Sequence, residues 1–565
     1  MSGICGWVGT LSGEEESHRC LAGMLRDCGA DSGIEIPGVR EPNLHLGCVG
    51  RLPEVSERLY ADETFAAVLS DPLQSASGRR ILARDLVDLY RAHELQFLRR
   101  VRGAFALALY DHQRQRLLLA RDPTGQRTLY LYRNGAYFAF ASRLSAFRRL
   151  PGFRPQLDAQ ALLAYFHFQT VPSPGAIYRD CAQLPPGELL VMENRQAPSQ
   201  RLFWSPWGEL KRTDTEVPET AFSHRFSKAL ARSLQDVPEV AVLSQDDLGT
   251  AVLQHALGRW LGHPPTRLHP GEVAVQSGDP EALEAYLSTL AAVSDEPQGS
   301  PLLLSAYLCA RAARQQGIGC LISSAGAREL FGATALTARA WQLEGYRRIP
   351  AFWRETLMEP LLFRLPKLQR WNKLQSLRAR VREAQEPLST WFYQQTAPRW
   401  SKGTPFSSEF LAQVDEAALR AALEAGDLSP LDQLMAWEIR FSLVDRQIAA
   451  LHRAGEFAET TIRYPFLDQD LLRFACHLPP EIRLGGGGLL ARLPHESLPE
   501  PAVPRQAWLK ANLGDWMGRK LTALGKRGFL LPDYLDWLST QATPDQIERC
   551  WSLAMLEHWL EEQAH

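Results

Sequence analysis

Two short polar loops, each placed after an apolar strand, hold the residues best able to do chemistry in this chain. Residues 239–243 (EVAVL) read as a buried strand. Ser244 to Asp247 form a polar loop, and Val252, Leu253, Ala256 and Leu257 mark the helix that follows. The same form recurs as a strand at 319–323 (GCLIS), a loop, and a helix at 327–331. These loops and helix starts carry Asp246, Asp247, Arg328 and Glu329. Carboxylates are hard oxygen ligands and a guanidinium pairs with anions, so these residue types handle ions and phosphates when geometry allows. Thiol chemistry has less support. The nine cysteines are odd in number and widely spaced, with no CxxC or Cys/His cluster, so neither a zinc site nor a disulfide framework is expected. They read as reduced and mostly buried.

The elements that position these loops fall into two units. At 565 residues the chain is long enough for sizeable cores, and 45% hydrophobic with 22% charged residues is ordinary globular composition. Residues 1–207 are β-rich. Strands are predicted at 103–111, 116–121, 129–132, 136–141 and 189–192, with Asn134-Gly135 as a type I′ hairpin signal. Helices are expected at 17–26, 78–92 and 159–167, which makes a layered α+β domain. The polar stretch 208–218 reads as a linker. Beyond it, residues 219–565 begin with a helix carrying Phe222, Phe226, Leu230 and Leu234 on one stripe. Strand–loop–helix units with apolar strands argue for a mostly parallel sheet. A helix at 302–316 precedes the second unit, and the chain from about 355 onward reads as helical, with four glycines at 485–488 forming a loop.

The formal charge is −2, and the basic clusters at 143–149 and 364–380 read as solvated helix surface or local patches. A nucleic-acid partner is therefore not expected. The start MSGICGWVGT has neither a basic region nor a long apolar one, and no run of 18 apolar residues occurs. The expectation is a cytoplasmic protein with no membrane partner.

At the level of motifs the chain resembles asparagine synthetase B and its relatives, which include β-lactam synthetases and lasso-peptide cyclases. GAFALALYD, LLLARDPTGQRTLYLY and FAFAS resemble the family's glutaminase core, and VPSPGAIY with QLPPG its bridge to the second domain. SDEP at 294–297, ISSAGARELFGA at 322–333 and YPFLDQDLLRFACHLPPEI at 464–482 resemble the synthetase domain in the same order. The resemblance implies an α+β N-terminal-nucleophile domain, then an α/β adenine-nucleotide α-hydrolase-like domain with extra C-terminal helices. It also makes a homodimer plausible.

The family's glutaminase uses an N-terminal Cys whose α-amine serves as local base. Ser2 occupies that position here, and a hydroxyl is far less nucleophilic than a thiol. A shifted reading would expose Cys5 after clipping; the plainer reading packs Cys5 in the core. Arg51 matches the arginine that pairs with the glutamine carboxylate. The family's Asn-Gly-Glu falls near Ser70-Asp71-Pro72, its ammonium-binding Asp near Leu82, and its His-Arg-Gly-Pro-Asp loop at Asp27-Cys28-Gly29-Ala30-Asp31. Loss of glutaminase activity is the expectation.

In the synthetase domain the family's Ser-Gly-Gly-x-Asp-Ser is Ser244-Gln245-Asp246-Asp247-Leu248-Gly249, with leucine at the metal-ligand position. The family's Ser-Gly-Glu-Gly-x-Asp-Glu becomes Ser323-Ser324-Ala325-Gly326-Ala327-Arg328-Glu329, with arginine at the metal-binding Asp. Gln506 stands where the family has a charge-stabilising lysine, and Lys510 is nearby. The residues that pack helices persist, and those that bind metal and pyrophosphate do not. Three readings follow. The leading one is a noncatalytic member that needs no cofactor and binds a protein or peptide partner, such as an active paralogue. Its alternative is an ATP-dependent amide-forming enzyme in which Asp246, Asp247 and Glu329 hold Mg2+ and Arg328 or Lys510 meets phosphate. A metabolite sensor using the old cleft is the third.

Overall fold

A computed structural model describes residues 3–11, 13–29, 38–41, 43–49, 57–71, 73–75, 78–208, 217–235, 237–245, 247–270, 273, 280–332, 334–364, 372–423, 428–485, 488–495, 505–541 and 543–563. The α+β unit followed by an α/β unit with added helices is the architecture found. In the first unit, one antiparallel sheet holds β1 (Gly3–Gly9), β2 (Gly38–Glu41), β3 (Leu44–Val49), β11 (Tyr130–Arg133), β12 (Tyr137–Ala141) and β13 (Cys181–Gln183), in the order β13-β11-β12-β1-β3-β2. A second holds β4 (Leu59–Ala61), β5 (Phe65–Leu69), β9 (Ala106–Asp111), β10 (Arg116–Arg121), β14 (Glu188–Glu193) and β15 (Ser199–Leu202), in the order β15-β14-β10-β9-β5-β4. Three short strands, β6 (Leu73–Ser75), β7 (Arg80–Ile81) and β8 (Val101–Arg102), make a small third sheet.

Alternation along the strands makes these sheets a sandwich. Ile4, Val8, Leu44 and Leu46 of the first sheet meet Val68, Ala108, Leu117 and Leu190 of the second in one core. The outer faces are covered as well. Cys5 and Trp7 pack with α1 (Glu14–Asp27) through Leu21, Met24 and Leu25, and Phe65 and Leu69 pack with α2 (Ala83–His93) through Leu86, Val87 and Tyr90. The result is four layers, helix on sheet on sheet on helix.

The hairpin signalled by Asn134-Gly135 forms between β11 and β12, with Arg133 opposite Phe138. Its turn is not type I′, because neither residue has positive φ. The Asn134 side chain instead accepts from the backbone N–H of Ala136 and Tyr137 and closes the turn itself.

Helix α3 (Ala159–Phe168) leaves the sandwich and packs on the second unit, where His167 stacks on Tyr393 at 4.3 Å and Phe168 on Phe441 at 4.4 Å. The second unit starts with α4 (Pro218–Leu234), whose Phe222, Phe226 and Leu230 are buried as the sequence predicts. Its sheet is parallel: β16 (Val240–Leu243), β17 (Thr266–Leu268), β18 (Cys320–Ser323) and β19 (Thr461–Arg463), ordered β17-β16-β18-β19. On one face lie α4 and α5 (Leu248–Leu261). The other face carries α6 (Pro280–Val293) and α7 (Leu302–Gln315). The short α8 (Ala327–Phe331) follows β18, and the described remainder beyond 355 is mainly helical as predicted, except that Thr461–Arg463 adds the strand β19 to the parallel sheet. Gly486 and Gly487, within the expected glycine loop, lie outside the described residues.

Candidate functional site

The two polar loops leave the carboxyl ends of adjacent parallel strands, the usual place for a ligand in an open α/β sheet. Leu243 of β16 pairs with Ser323 of β18, so the loops run side by side. Gly249 explains how closely: a Cβ there would come within 2.4 Å of the Ala327 Cβ. Only a residue without a side chain lets α5 and α8 begin this near to each other.

What fills the gap is a set of hydrogen bonds between the loops themselves. Asp247 caps α5, its Oδ1 accepting from the Thr250 N–H at 2.8 Å and the Thr250 hydroxyl at 2.9 Å. The Ser324 hydroxyl donates to the same oxygen at 3.2 Å. Gln245 reaches across from the first loop and donates to Ser323 Oγ at 3.2 Å, while Ser323 Oγ also accepts from the Ala325 N–H. The other Asp247 oxygen, Oδ2, faces Arg328 Nε at 3.5 Å. Arg328 Nη2 lies 3.9 Å from Glu329. Glu329 is buried and accepts from Gln447 Nε2 at 2.9 Å. Ser244 is buried at the end of β16, its N–H bonded to the Leu268 carbonyl.

Glu438 lies deeper. Burial raises its carboxyl to about 8 despite the hydrogen bond donated by Thr334, and the nearby Glu329 adds to the shift. Lys510 sits on the long helix α14 (Arg505–Gly525), where its ammonium donates to the Gln541 carbonyl at 3.1 Å and neither loop residue is its partner. Asp246 lies outside the described residues, as do Ser2 and Arg51 of the first domain.

Magnesium nucleotide, which the motif pattern implies, needs free carboxylate oxygens and backbone N–H groups in an open cradle. The described donors do not fit that need. Asp247 is occupied on one oxygen by three donors and faced on the other by a guanidinium, Glu329 is bonded to Gln447, and Leu248 offers no ligand atom. No group of three His, Cys, Asp or Glu is placed to hold a metal among the described residues.

Described residues of the first domain that match the glutaminase motifs have partners of their own. Cys5 is buried in β1, and burial, with Cys28 beside it, pushes its thiol far up, so it is a core residue in this structure. Gly3 runs against Cys28 and Ser142: a Cβ there would lie 3.3 Å from the Cys28 Cβ. Ser70 serves the backbone, its hydroxyl accepting from the Ala106 N–H at 2.9 Å. Asp71 forms a bidentate pair with Arg127 at 2.6 and 2.8 Å. Burial raises the Asp71 carboxyl, but Arg127 more than reverses this and holds it well below the usual carboxylate range. Leu82 stands before α2 with its N–H bonded to Asp85.

A third polar region, between the domains, has no counterpart in the sequence reading beyond the match at SDEP. Asp295 takes Arg143 Nε at 2.9 Å and Arg453 Nη2 at 2.5 Å, with its side chain only 1% exposed. Glu296 accepts from the Ile177 N–H, the Tyr130 hydroxyl and Gln183 Nε2 at 2.8–2.9 Å, and burial still raises its carboxyl to about 8. Asp445 accepts from the Ser173 N–H. The space left among Arg121, Tyr130, Gln183, Glu296 and Arg453 is about 20 Å³, room for about one water. Tyr130, Arg143, Ser173 and Ile177 belong to the first domain and Asp295, Glu296, Asp445 and Arg453 to the second, so these bonds fasten one to the other. The partners lie 113 to 272 residues apart, beyond the reach of any local pattern.

Comparison with known proteins agrees with this architecture. Residues 272–561, just over half of the chain, match the family described as asparagine synthase, and residues 83–204 match a glutamine amidotransferase domain. A putative glutamine-hydrolysing asparagine synthetase of Mycobacterium bovis is 25% identical over 282 residues, 45% of this chain and 43% of that protein. Glutamine-hydrolysing asparagine synthetase 1 of Bacillus subtilis is 19% identical over 84% of this chain and 80% of its own length. Asparagine synthetase 3 of the same organism is 26% identical over 31% of this chain and 29% of its own. The match thus spans less than half the length of the mycobacterial relative. With an α/β domain matched over more than half of its residues, behind a four-layer amidotransferase-like domain, the chain belongs to the asparagine synthase family.

Proposed function

We propose that this chain is a noncatalytic member of the family, without glutamine hydrolysis or ATP-dependent amide ligation, and that it works as a binding or scaffold partner in a cytoplasmic biosynthetic pathway. One observation carries the reading. Asp247, the acidic residue of the first loop whose position is described, is spent on Thr250, Ser324 and Arg328, so the loops bind each other. Residues with side chains replace the glycines that would cradle pyrophosphate, and Asp246 beside Asp247 adds negative charge that repels phosphate when no metal intervenes. The two-domain body stays packed, as a scaffold requires. The partner is a protein or peptide of the same pathway, with an active paralogue the first to examine.

Titration calorimetry of the full-length chain with Mg-ATP tests this, with an Asp246→Ala/Asp247→Ala double variant as control. The expected result is no heat of binding at high nucleotide concentration. Heat that requires magnesium and vanishes in the double variant would overturn the reading. Asp246, Asp247 and Glu329 would then form a rearranged metal site in an amide-forming enzyme.

A further inference from the structure

The helical excursion after the second loop presents an apolar surface that the body of the protein leaves bare. Helix α9 (Ala335–Arg347) is followed by α10 (Ala351–Trp353), a π-helical turn Arg354–Met358 and α11 (Glu359–Arg364), which continue as one rod. Helix α12 (Asn372–Gln385) packs beside α9 and α11. Phe352, Trp353, Leu357, Met358, Leu361 and Leu377 are between 41% and 66% exposed. The remaining large exposed apolar side chains among the described residues are scattered, at Leu202, Val217 and Trp260. Trp353, Leu357 and Leu361 follow one another at single-turn spacing, so they share a face. A concentration of this kind marks a contact surface, whereas single exposed apolar residues do not.

Charge beside the patch narrows what it contacts. The sequence from Arg364 to Arg382 holds seven Lys and Arg residues and no acidic one, with Glu355 and Glu359 before it and Glu383 after it; Lys367 and Arg370 lie outside the described residues. Arg380 and Arg382 are exposed on α12, and Arg382 lies over the Phe363 ring at 5.6 Å, which fixes its guanidinium next to α11. The occupant must therefore be apolar where the stripe meets it and anionic around it. A second copy docked symmetrically fails this condition, because two equal basic clusters would face each other. A projecting helix with Trp, Leu and Met along one side and arginines close by has the composition of a segment lying in the headgroup layer of a bilayer.

We propose that α10, the π turn, α11 and α12 dock this protein on an anionic lipid surface, with the Trp353–Leu357–Leu361 stripe entering the acyl boundary and Arg380 and Arg382 meeting lipid phosphates. No helix of the described chain is long and apolar enough to cross a membrane, and the docking needs none. The mode is peripheral and reversible by salt. It does not depend on whether the loops bind nucleotide.

Co-sedimentation of the full chain with vesicles is the test. Vesicles of phosphatidylcholine alone are set against vesicles of phosphatidylcholine with phosphatidylglycerol in equal parts. The chain is expected to sediment with the anionic vesicles and to stay in the supernatant with the neutral ones. Raising salt from about 0.1 M to about 0.5 M should release it, since screening shortens the reach of the arginines. Trp353→Ser/Leu357→Ser/Leu361→Ser should abolish sedimentation. Arg380→Gln/Arg382→Gln should weaken it roughly thirtyfold, at about 1 kcal/mol per basic side chain. All five positions are surface sites, and circular dichroism melts matching the parent verify that the variants fold. No binding to the anionic vesicles, or binding that both variants retain, would overturn the proposal. So would self-association in sedimentation velocity that the triple variant loses while vesicles go unbound, because it would seat another copy of the chain on the patch.

Discussion

Two charged regions of this molecule, the seam between the domains and the paired loops over the parallel sheet, treat their carboxylates in opposite ways. At the seam Asp295 is almost wholly enclosed and answered by two guanidinium groups from different domains, Arg143 and Arg453. Over the sheet, Asp247 is answered mainly by neutral hydroxyls and an N–H from its own neighbourhood, and its guanidinium, Arg328, is 51% exposed and 3.5 Å away. The seam has the character of a structural joint. In the loops, Asp247 is held by donors of the two loops themselves. A carboxylate in a cleft is therefore not enough to infer chemistry, because what matters is how many of its lone pairs are still free.

The contrast can be strained most severely at the seam. Asp295→Ala leaves Arg143 and Arg453 buried without their shared anion, and a loss of about 3–5 kcal/mol in urea unfolding is expected. A loss below about 1 kcal/mol would mean that the Asp295 pairs add little to the joint.

A second probe uses pH and sits behind the loops. The folded Glu438 carboxyl is raised to about 8, above its ordinary value of 4.5. Its neutral form is thus favoured by folding. That contribution is intact below about pH 4.5 and is lost as pH climbs toward 8, so stability falls with rising pH through this window. Glu438→Gln keeps the shape and removes the ionisation. Its thermal unfolding profile should be flatter between those pH values, with the variant gaining on the parent as pH approaches 8. Equal slopes for parent and variant would place the Glu438 carboxyl near its ordinary range. The smallest effect belongs to Arg328→Gln. A half-exposed ion pair at this distance is worth less than about 1 kcal/mol, so the melting temperature should barely move. A larger drop would make the loops a joint of the same kind as the seam.

Much of the scaffold was legible in the sequence because it follows local rules. The strand at 116–121 and the helix at 327–331 occupy the predicted residues, and the stripe Phe222, Phe226, Leu230 and Leu234 faces the core as its period requires. The hairpin at Asn134-Gly135 was legible in place but not in type, because side-chain capping by Asn134 replaced the left-handed backbone. In the site, the sequence reading assigned Asp247 to a metal and Arg328 to phosphate, whereas in the structure the two face each other, and the hydroxyls of Thr250 and Ser324 that bind Asp247 were missed. Thr250 stands three residues after Asp247, the spacing of an N-cap contact, so that signal was available. The Asp71–Arg127 pair and the Asp295 junction were out of reach. Their partners are distant in sequence and brought together only by the packing of sheets and domains.

Helix α15 (Pro544–Glu562) is buried along most of its length. It hands the Trp559 indole N–H to the Ser294 carbonyl, takes the Tyr165 hydroxyl on the Ser552 carbonyl, and sends Arg549 to the Phe166 carbonyl. Residues of α15 thus bond to α3, which is translated almost four hundred residues earlier. A chain that has emerged only as far as residue 543 lacks the Ser552 carbonyl that takes the Tyr165 hydroxyl and the Trp559 indole that reaches Ser294. The sandwich strands are all made by residue 202, whereas the junction is complete only once α15 is present.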